Sequence, residues 1–154
     1  MLKYDGYDIV LQEIPNEISL CFTITGCQLA CDGCHSEHLW NPENGKELNP
    51  EIFKELLIKY KHAITCVVFM GGEWSYAELL ILINIVKEFS LKVALYTGLN
   101  EKQIQRKYPE LLNILDFIKT GKWISSLGGL DNLKTNQILK DLRSGEILNK
   151  YFLH

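Results

Sequence analysis

Residues 63–72 read AITCVVFMGG, a β-branched and almost wholly apolar run that closes on two glycines. A strand of that composition has no polar face to offer to water, so it belongs in the middle of a parallel sheet covered on both sides. The flanking sequence supplies the cover. Residues 49–61, NPEIFKELLIKYK, open with Asn49 as an N-cap and Pro50 at the first helical position. They set Ile52, Phe53, Leu56, Leu57 and Tyr60 on one face of an amphipathic helix. On the other side, SYAE (75–78) has the capping-box pattern, and Leu79, Leu80, Ile83, Val86 and Phe89 continue a helical stripe.

The alternation extends in both directions. EISLCFTITG (17–26) places Ile18, Leu20, Phe22 and Ile24 on one face and Ser19, Cys21, Thr23 and Thr25 on the other, a strand between two different environments. KVALYTG (92–98) reads as a third strand, followed by a short helix from about Asn100 and a fourth strand at LDFIKTG (115–121). The order β, α, β, α, β, α, β implies right-handed crossovers and a parallel sheet with helices outside. Four or five such units are too few to close an eight-stranded barrel. The expected fold is therefore α/β, a partial (βα) barrel in a single domain spanning 1–154, with a less regular tail from about residue 122.

Totals narrow the classes of function. A chain of 154 residues with 47% apolar and 23% charged residues fits one globular domain. A net charge of −3 with no run of like charges argues against a nucleic-acid partner. The longest apolar stretch, LLILINIV (79–86), is far below membrane-spanning length, and the N-terminus carries an acidic residue where a signal peptide would be apolar. A cytoplasmic protein with no membrane partner is expected.

Five cysteines are present, and three of them, Cys27, Cys31 and Cys34, fall within eight residues. That clustering suits a metal or cluster better than a disulfide framework. Cys21 and Cys66 sit in apolar runs and read as buried core thiols. A C-x3-C-x2-C loop can wrap three corners of a [4Fe–4S] cluster and leave its fourth iron open to a ligand. Zinc with His35 or His38 as the fourth ligand is the structural alternative, and three unligated cysteines the simplest one.

In a parallel α/β sheet, ligands bind at the carboxyl ends of the strands. Cys27, the GGE of residues 71–73 and the YTG of residues 96–98 all follow such ends, so they share one rim, with the cluster loop at 26–36. Gly71 and Gly72 let the backbone approach a ligand, and Glu73 adds a carboxylate; the set suits the carboxylate and ammonium of an amino acid. Taken alone, GGE also fits a tight turn with a solvated glutamate.

These residues together resemble the radical S-adenosylmethionine (SAM) superfamily, whose C-x3-C-x2-C signature is matched by Cys27, Cys31 and Cys34. More narrowly, the chain is similar to the activating proteins of anaerobic (class III) ribonucleoside-triphosphate reductases. TGCQLACDGCHS, Trp40, Asn44 with Gly45, GGE, YTG, GKW and Asn136 with Gln137 follow that family's order. The resemblance implies a partial (βα) barrel and a [4Fe–4S] cluster held by the three cysteines, its open iron binding the amino and carboxylate groups of SAM. It further implies that Gly33, Cys34 and His35 border the cofactor, that Gly72 and Glu73 help hold its methionine end, and that Tyr96 and Thr97 lie at the cofactor rim. An electron from a low-potential donor such as flavodoxin or ferredoxin would cleave SAM to methionine and a 5′-deoxyadenosyl radical. That radical would take hydrogen from a glycine of the large reductase subunit.

Departures from the family pattern include His35 where tyrosine is common, and GGEW without the proline that often follows the acidic residue. Lys119 and Asn136 are candidates for adenine or ribose contacts by position only. Two competing functions stand beside the activase: a small-molecule radical SAM enzyme resembling the carboxydeazaguanine synthases, and a non-catalytic iron-sulfur or zinc module.

Overall fold

A computed structural model describes residues 2–27 and 41–153. Cys31, Gly33, Cys34, His35, His38 and Trp40 lie outside the described residues. The architecture is mixed α/β, built on a seven-stranded sheet. In chain order the strands are β1 (Lys3–Val10), β2 (Ser19–Ile24), β3 (Lys46–Glu47), β4 (Cys66–Met70), β5 (Lys92–Tyr96), β6 (Phe117–Thr120) and β7 (Ile138–Asp141). Their spatial order is β3-β1-β2-β4-β5-β6-β7.

The middle four, β2, β4, β5 and β6, pair in parallel, and they are the four strands expected from the sequence. The flanking antiparallel strands are additions: β3 and β7 are the edges, and β1 is paired on its outer side only at Lys3 and Tyr4, by the two-residue β3. An edge strand has one side without a ladder and much of its surface in water, so it carries no continuous apolar run for a sequence reading to find. KYDGYDIV is half exposed along its length, and its register shifts between Tyr4 and Tyr7. β7 forms inside the irregular tail and pairs antiparallel with β6, and the Asp141 N–H donates to the Glu146 carbonyl across the turn that follows it.

Helices α1 (Pro50–Tyr60), α2 (Tyr76–Glu88), α3 (Glu101–Lys107) and α4 (Leu111–Ile114) connect the parallel strands. The Asn49 side chain caps α1 by accepting from the Ile52 N–H at 2.9 Å, with Pro50 in the first turn where its missing N–H is harmless. Asn100 and Gln103 form a reciprocal capping box on α3. The expected box on α2 does not form. A 3-10 turn at Glu73–Ser75 precedes that helix, Ser75 makes no side-chain cap, and the Glu78 carboxylate instead accepts the Leu2 N–H from across the molecule.

Alternating strand residues feed two separate cores. Leu20, Phe22, Ile24, Val67, Phe69, Val93, Leu95 and Ile118 pack with α1 and α2 through Phe53, Leu57, Leu79 and Ile83. Cys21, Cys66, Val68, Ala94 and Phe117 point the other way and are covered by Ile14 of the β1–β2 connection and by Leu139 and Leu148 near the C-terminus. β2 thus has the two environments its alternation demands. Ile18, placed by the pattern with the apolar face, precedes the strand and stays exposed. Among the described residues, no helix is long and apolar enough to cross a membrane.

Candidate active site

The parallel register brings the carboxyl ends of β2, β4, β5 and β6 to one edge. Thr23 pairs with Met70, Met70 with Tyr96 and Tyr96 with Lys119. Just beyond them the backbone continues the pairing for one step: the Gly71 N–H donates to the Tyr96 carbonyl, and the Thr97 N–H to the Lys119 carbonyl, each at 2.8 Å. Cys27, the GGE turn and Thr97 therefore share an edge, as their positions in the sequence imply.

Both glycines of the turn adopt left-handed backbone, with φ of +90° at Gly71 and +116° at Gly72. Side chains disfavour that region. At Gly71 space is lacking as well, because a Cβ would lie 2.5 Å from the Trp74 ring. The double reversal turns the chain off β4 and drops Glu73 inward rather than into solvent.

Glu73 is only 4% exposed, which excludes the solvated turn glutamate. One carboxylate oxygen, Oε1, accepts from the Thr97 hydroxyl at 2.7 Å; that hydroxyl in turn accepts the Leu99 N–H at 3.1 Å. The second oxygen, Oε2, is buried with no hydrogen-bond partner. Burial pushes the carboxyl above its ordinary range, and the Thr97 bond only partly opposes this. A buried carboxylate oxygen without a donor is expensive to keep. An ammonium group brought beside Oε2 would satisfy it and pull the carboxyl's pKa back down. The site thus fits the amino end of an amino-acid-like ligand by the chemistry of its orphaned oxygen.

The cysteines divide by environment. Cys27 is half-buried at the end of β2. Cys21 and Cys66 are buried, and burial pushes each thiol up to about 12, so neither is a thiolate at neutral pH. Thiolate is the ligating form, so the core pair is poorly suited to hold a cluster, while Cys27 stands at the strand edge. Cys31 and Cys34 lie outside the described residues, and no group of three metal-ligating side chains occurs among the described ones.

Tyr96 is placed differently from Thr97. Its side chain lies on the sheet face opposite the helices, and its hydroxyl donates to the Glu13 carbonyl. Lys119 lies beside it, with Nζ 4.9 Å from the ring centre. Met70, Tyr96, Lys119, Glu13, Gln137 and Tyr151 line an open groove of about 730 Å³ along this end of the sheet. The alternation of β4, β5 and β6 carried the signal for the first three; the groove's other wall comes from segments with no strand periodicity. Asn136 sits at the edge of this region, its Nδ2 bound to the Lys122 carbonyl at 3.0 Å.

Trp74 is the residue that sequence reasoning passed over except as a missing proline. Its indole Nε1 donates to the Thr25 carbonyl at 3.2 Å, joining the GGE turn to the end of β2. Aromatic residues with a polar edge are suited to such a bridge, but nothing in the local pattern of GGEW marks it.

Comparison with known proteins agrees with these features. Residues 18–140, from the threshold of β2 into β7, match the model of the 4Fe-4S single cluster domain family. The chain is also 32% identical over 111 residues to the anaerobic ribonucleoside-triphosphate reductase-activating protein of Enterobacteria phage T4, an alignment covering 68% of this chain and 70% of that one. By the extent of both matches, this chain belongs to the 4Fe-4S single cluster domain family and shares a family with the phage T4 activating protein.

Proposed function

We propose that the protein is a radical SAM activase that generates a glycyl radical on the large subunit of an anaerobic ribonucleoside-triphosphate reductase. The observation carrying this reading is the buried, unpartnered Oε2 of Glu73 at the same strand edge as Cys27. Family membership supports the cluster, and the phage relative's name supports the target. In this reading Cys27, Cys31 and Cys34 hold a [4Fe–4S] cluster with one open iron, in a single partial-barrel domain.

Bound together, the cluster and SAM would supply one-electron reductive cleavage and hydrogen abstraction from a glycine, with a flavodoxin or ferredoxin as the low-potential donor. The chain's own residues do the positioning. Gly71 and Gly72 keep side chains away from the rim, Glu73 orients the ammonium, and Thr97 holds the carboxylate still by bonding its other oxygen. Gly33 and His35 would border the cofactor from the cysteine segment. The groove beside Tyr96 and Lys119 gives an extended substrate segment access from the face without helices.

The test is anaerobic. The protein is reconstituted with iron and sulfide, reduced with dithionite, and given SAM; 5′-deoxyadenosine is then quantified, with Cys34→Ala alongside. Product from the parent alone supports the reading. A cluster-bearing parent that forms none points to an electron carrier, and a protein that retains only zinc ends the radical reading.

A further inference from the structure

We propose that Trp74 is a positioning residue that fixes the start of the cysteine segment against the GGE turn. Two independent contacts carry the inference. The indole Nε1 donates to the Thr25 carbonyl at 3.2 Å, across 49 residues of sequence. The same ring lies over Gly71 so closely that a Cβ there would fall 2.5 Å from its edge. One side chain therefore touches both walls of the edge.

The location of the bond gives it leverage. Just beyond β2, Thr25 is tied into the sheet, its N–H donating to the Lys3 carbonyl at 3.0 Å. Gly26 then turns the chain at a φ of +98°, and Cys27 follows. A donor on the Thr25 carbonyl holds the peptide from which that turn departs. The indole in turn leaves a 3-10 turn whose own geometry is set by the Ser75 N–H bonding the Gly72 carbonyl at 2.9 Å. The separation between the first cysteine and the GGE backbone is thus referenced to a rigid aromatic plate. A ligand bridging a cluster and the GGE turn needs that separation constant, because small misplacements of reacting groups lose much of the advantage of binding them together.

The cluster half of this inference rests on family membership, and its SAM half rests on the activase reading above. The experiment separates them. Reconstituted holoprotein is challenged anaerobically with a ferrous chelator, and iron release is timed with and without saturating SAM, for the parent, Trp74→Phe and Val86→Ala. Phenylalanine removes the donor, and its shorter side chain also withdraws the distal indole edge that lies over Gly71. Val86→Ala opens a cavity near the far end of α2 and reports what general destabilisation does. Without SAM, Trp74→Phe should release iron about fivefold faster than the parent, the scale of one lost hydrogen bond, while Val86→Ala releases it at the parent's rate.

Release from Trp74→Phe at the parent's rate would overturn the proposal, as would equal acceleration in Val86→Ala. If Trp74→Phe fails to fold, Trp74→Tyr is read by the same two criteria. SAM should slow release from the parent and slow it less in the Trp74 variant. A parent whose release is indifferent to SAM counts against the activase reading, while the SAM-free comparison still decides the role of Trp74.

Discussion

The two faces of the central sheet are made by alternate residues of the same strands, yet they are built for different purposes. On the helical face Phe22 and Phe69 of the sheet pack with Phe53 of α1 at ring-centre distances of 5.2 to 6.1 Å. On the opposite face smaller residues, Cys21, Cys66, Val68 and Ala94, are covered by irregular chain, and at the carboxyl end the cover opens into the groove. Dense aromatic packing anchors the strands, and the thinner face leaves room for a ligand at their ends. Cys27, Glu73 and Thr97, at the strand ends between the two faces, belong to neither core.

Five substitutions would sharpen or break that contrast. The largest effect is expected at the edge itself. Cys27→Ala should lose the iron-sulfur absorbance and all 5′-deoxyadenosine formation while melting near the parent's apo temperature, and full iron content in this variant would contradict the ligand assignment. Next comes the helical face. Phe69→Ala should lower unfolding free energy by about 3–5 kcal/mol in urea titration, while its neighbour Val68→Ala, facing the thinner core, should lose roughly 1–2 kcal/mol. Equal losses would mean that the two faces are equally well packed.

Glu73→Gln should weaken SAM binding by calorimetry about 10- to 100-fold, the scale of a hydrogen bond to a charged group, with the fold intact. Its stability should depend on pH in a definite sense. The folded Glu73 carboxyl is raised by burial, so its favourable contribution is complete below the unfolded carboxylate range and is lost as pH rises through the folded value. The glutamine variant should therefore gain on the parent toward neutral pH and converge with it in acid, and a parallel pair of stability profiles would show that Glu73 is not desolvated. The smallest effect belongs to Cys66→Ala, which should retain full iron and activity and lose about 1 kcal/mol, the scale of one deleted core group. In the native parent, Cys21 and Cys66 should also resist alkylation at neutral pH, since thiols held up at about 12 are almost wholly protonated.

The parallel centre of the fold was legible because buried strands and amphipathic helices impose strong local patterns: AITCVVFM and NPEIFKELLIKY each state their burial in their own composition. The flanking antiparallel strands were not, since KYDGYDIV and ILKD gain their order from neighbours rather than from an apolar run. The SYAE signal failed for a related reason. Both of its polar residues match a cap, but the 3-10 turn after Gly72 moves Ser75 out of position, and Glu78 finds a better donor at Leu2. At the candidate site, the shared edge of Cys27, GGE and YTG followed from strand polarity alone. The separation of Tyr96 onto the groove face and Thr97 onto Glu73 also follows from alternation, although it takes the hydrogen-bond partners to show what each residue does there.

By itself the sequence determined the order of strands and helices, the clustering of three cysteines after the first parallel strand, and a glutamate two glycines beyond the next. Each of these is a statement about neighbours in the chain, where residue type and spacing are sufficient. Tertiary structure alone decided that Glu73 is buried with one oxygen unsatisfied, that Thr97 occupies the other across 24 residues, and that Trp74 reaches Thr25 across 49. Those contacts depend on strand order and register, and register is set by the summed packing of both cores rather than by any short stretch of sequence.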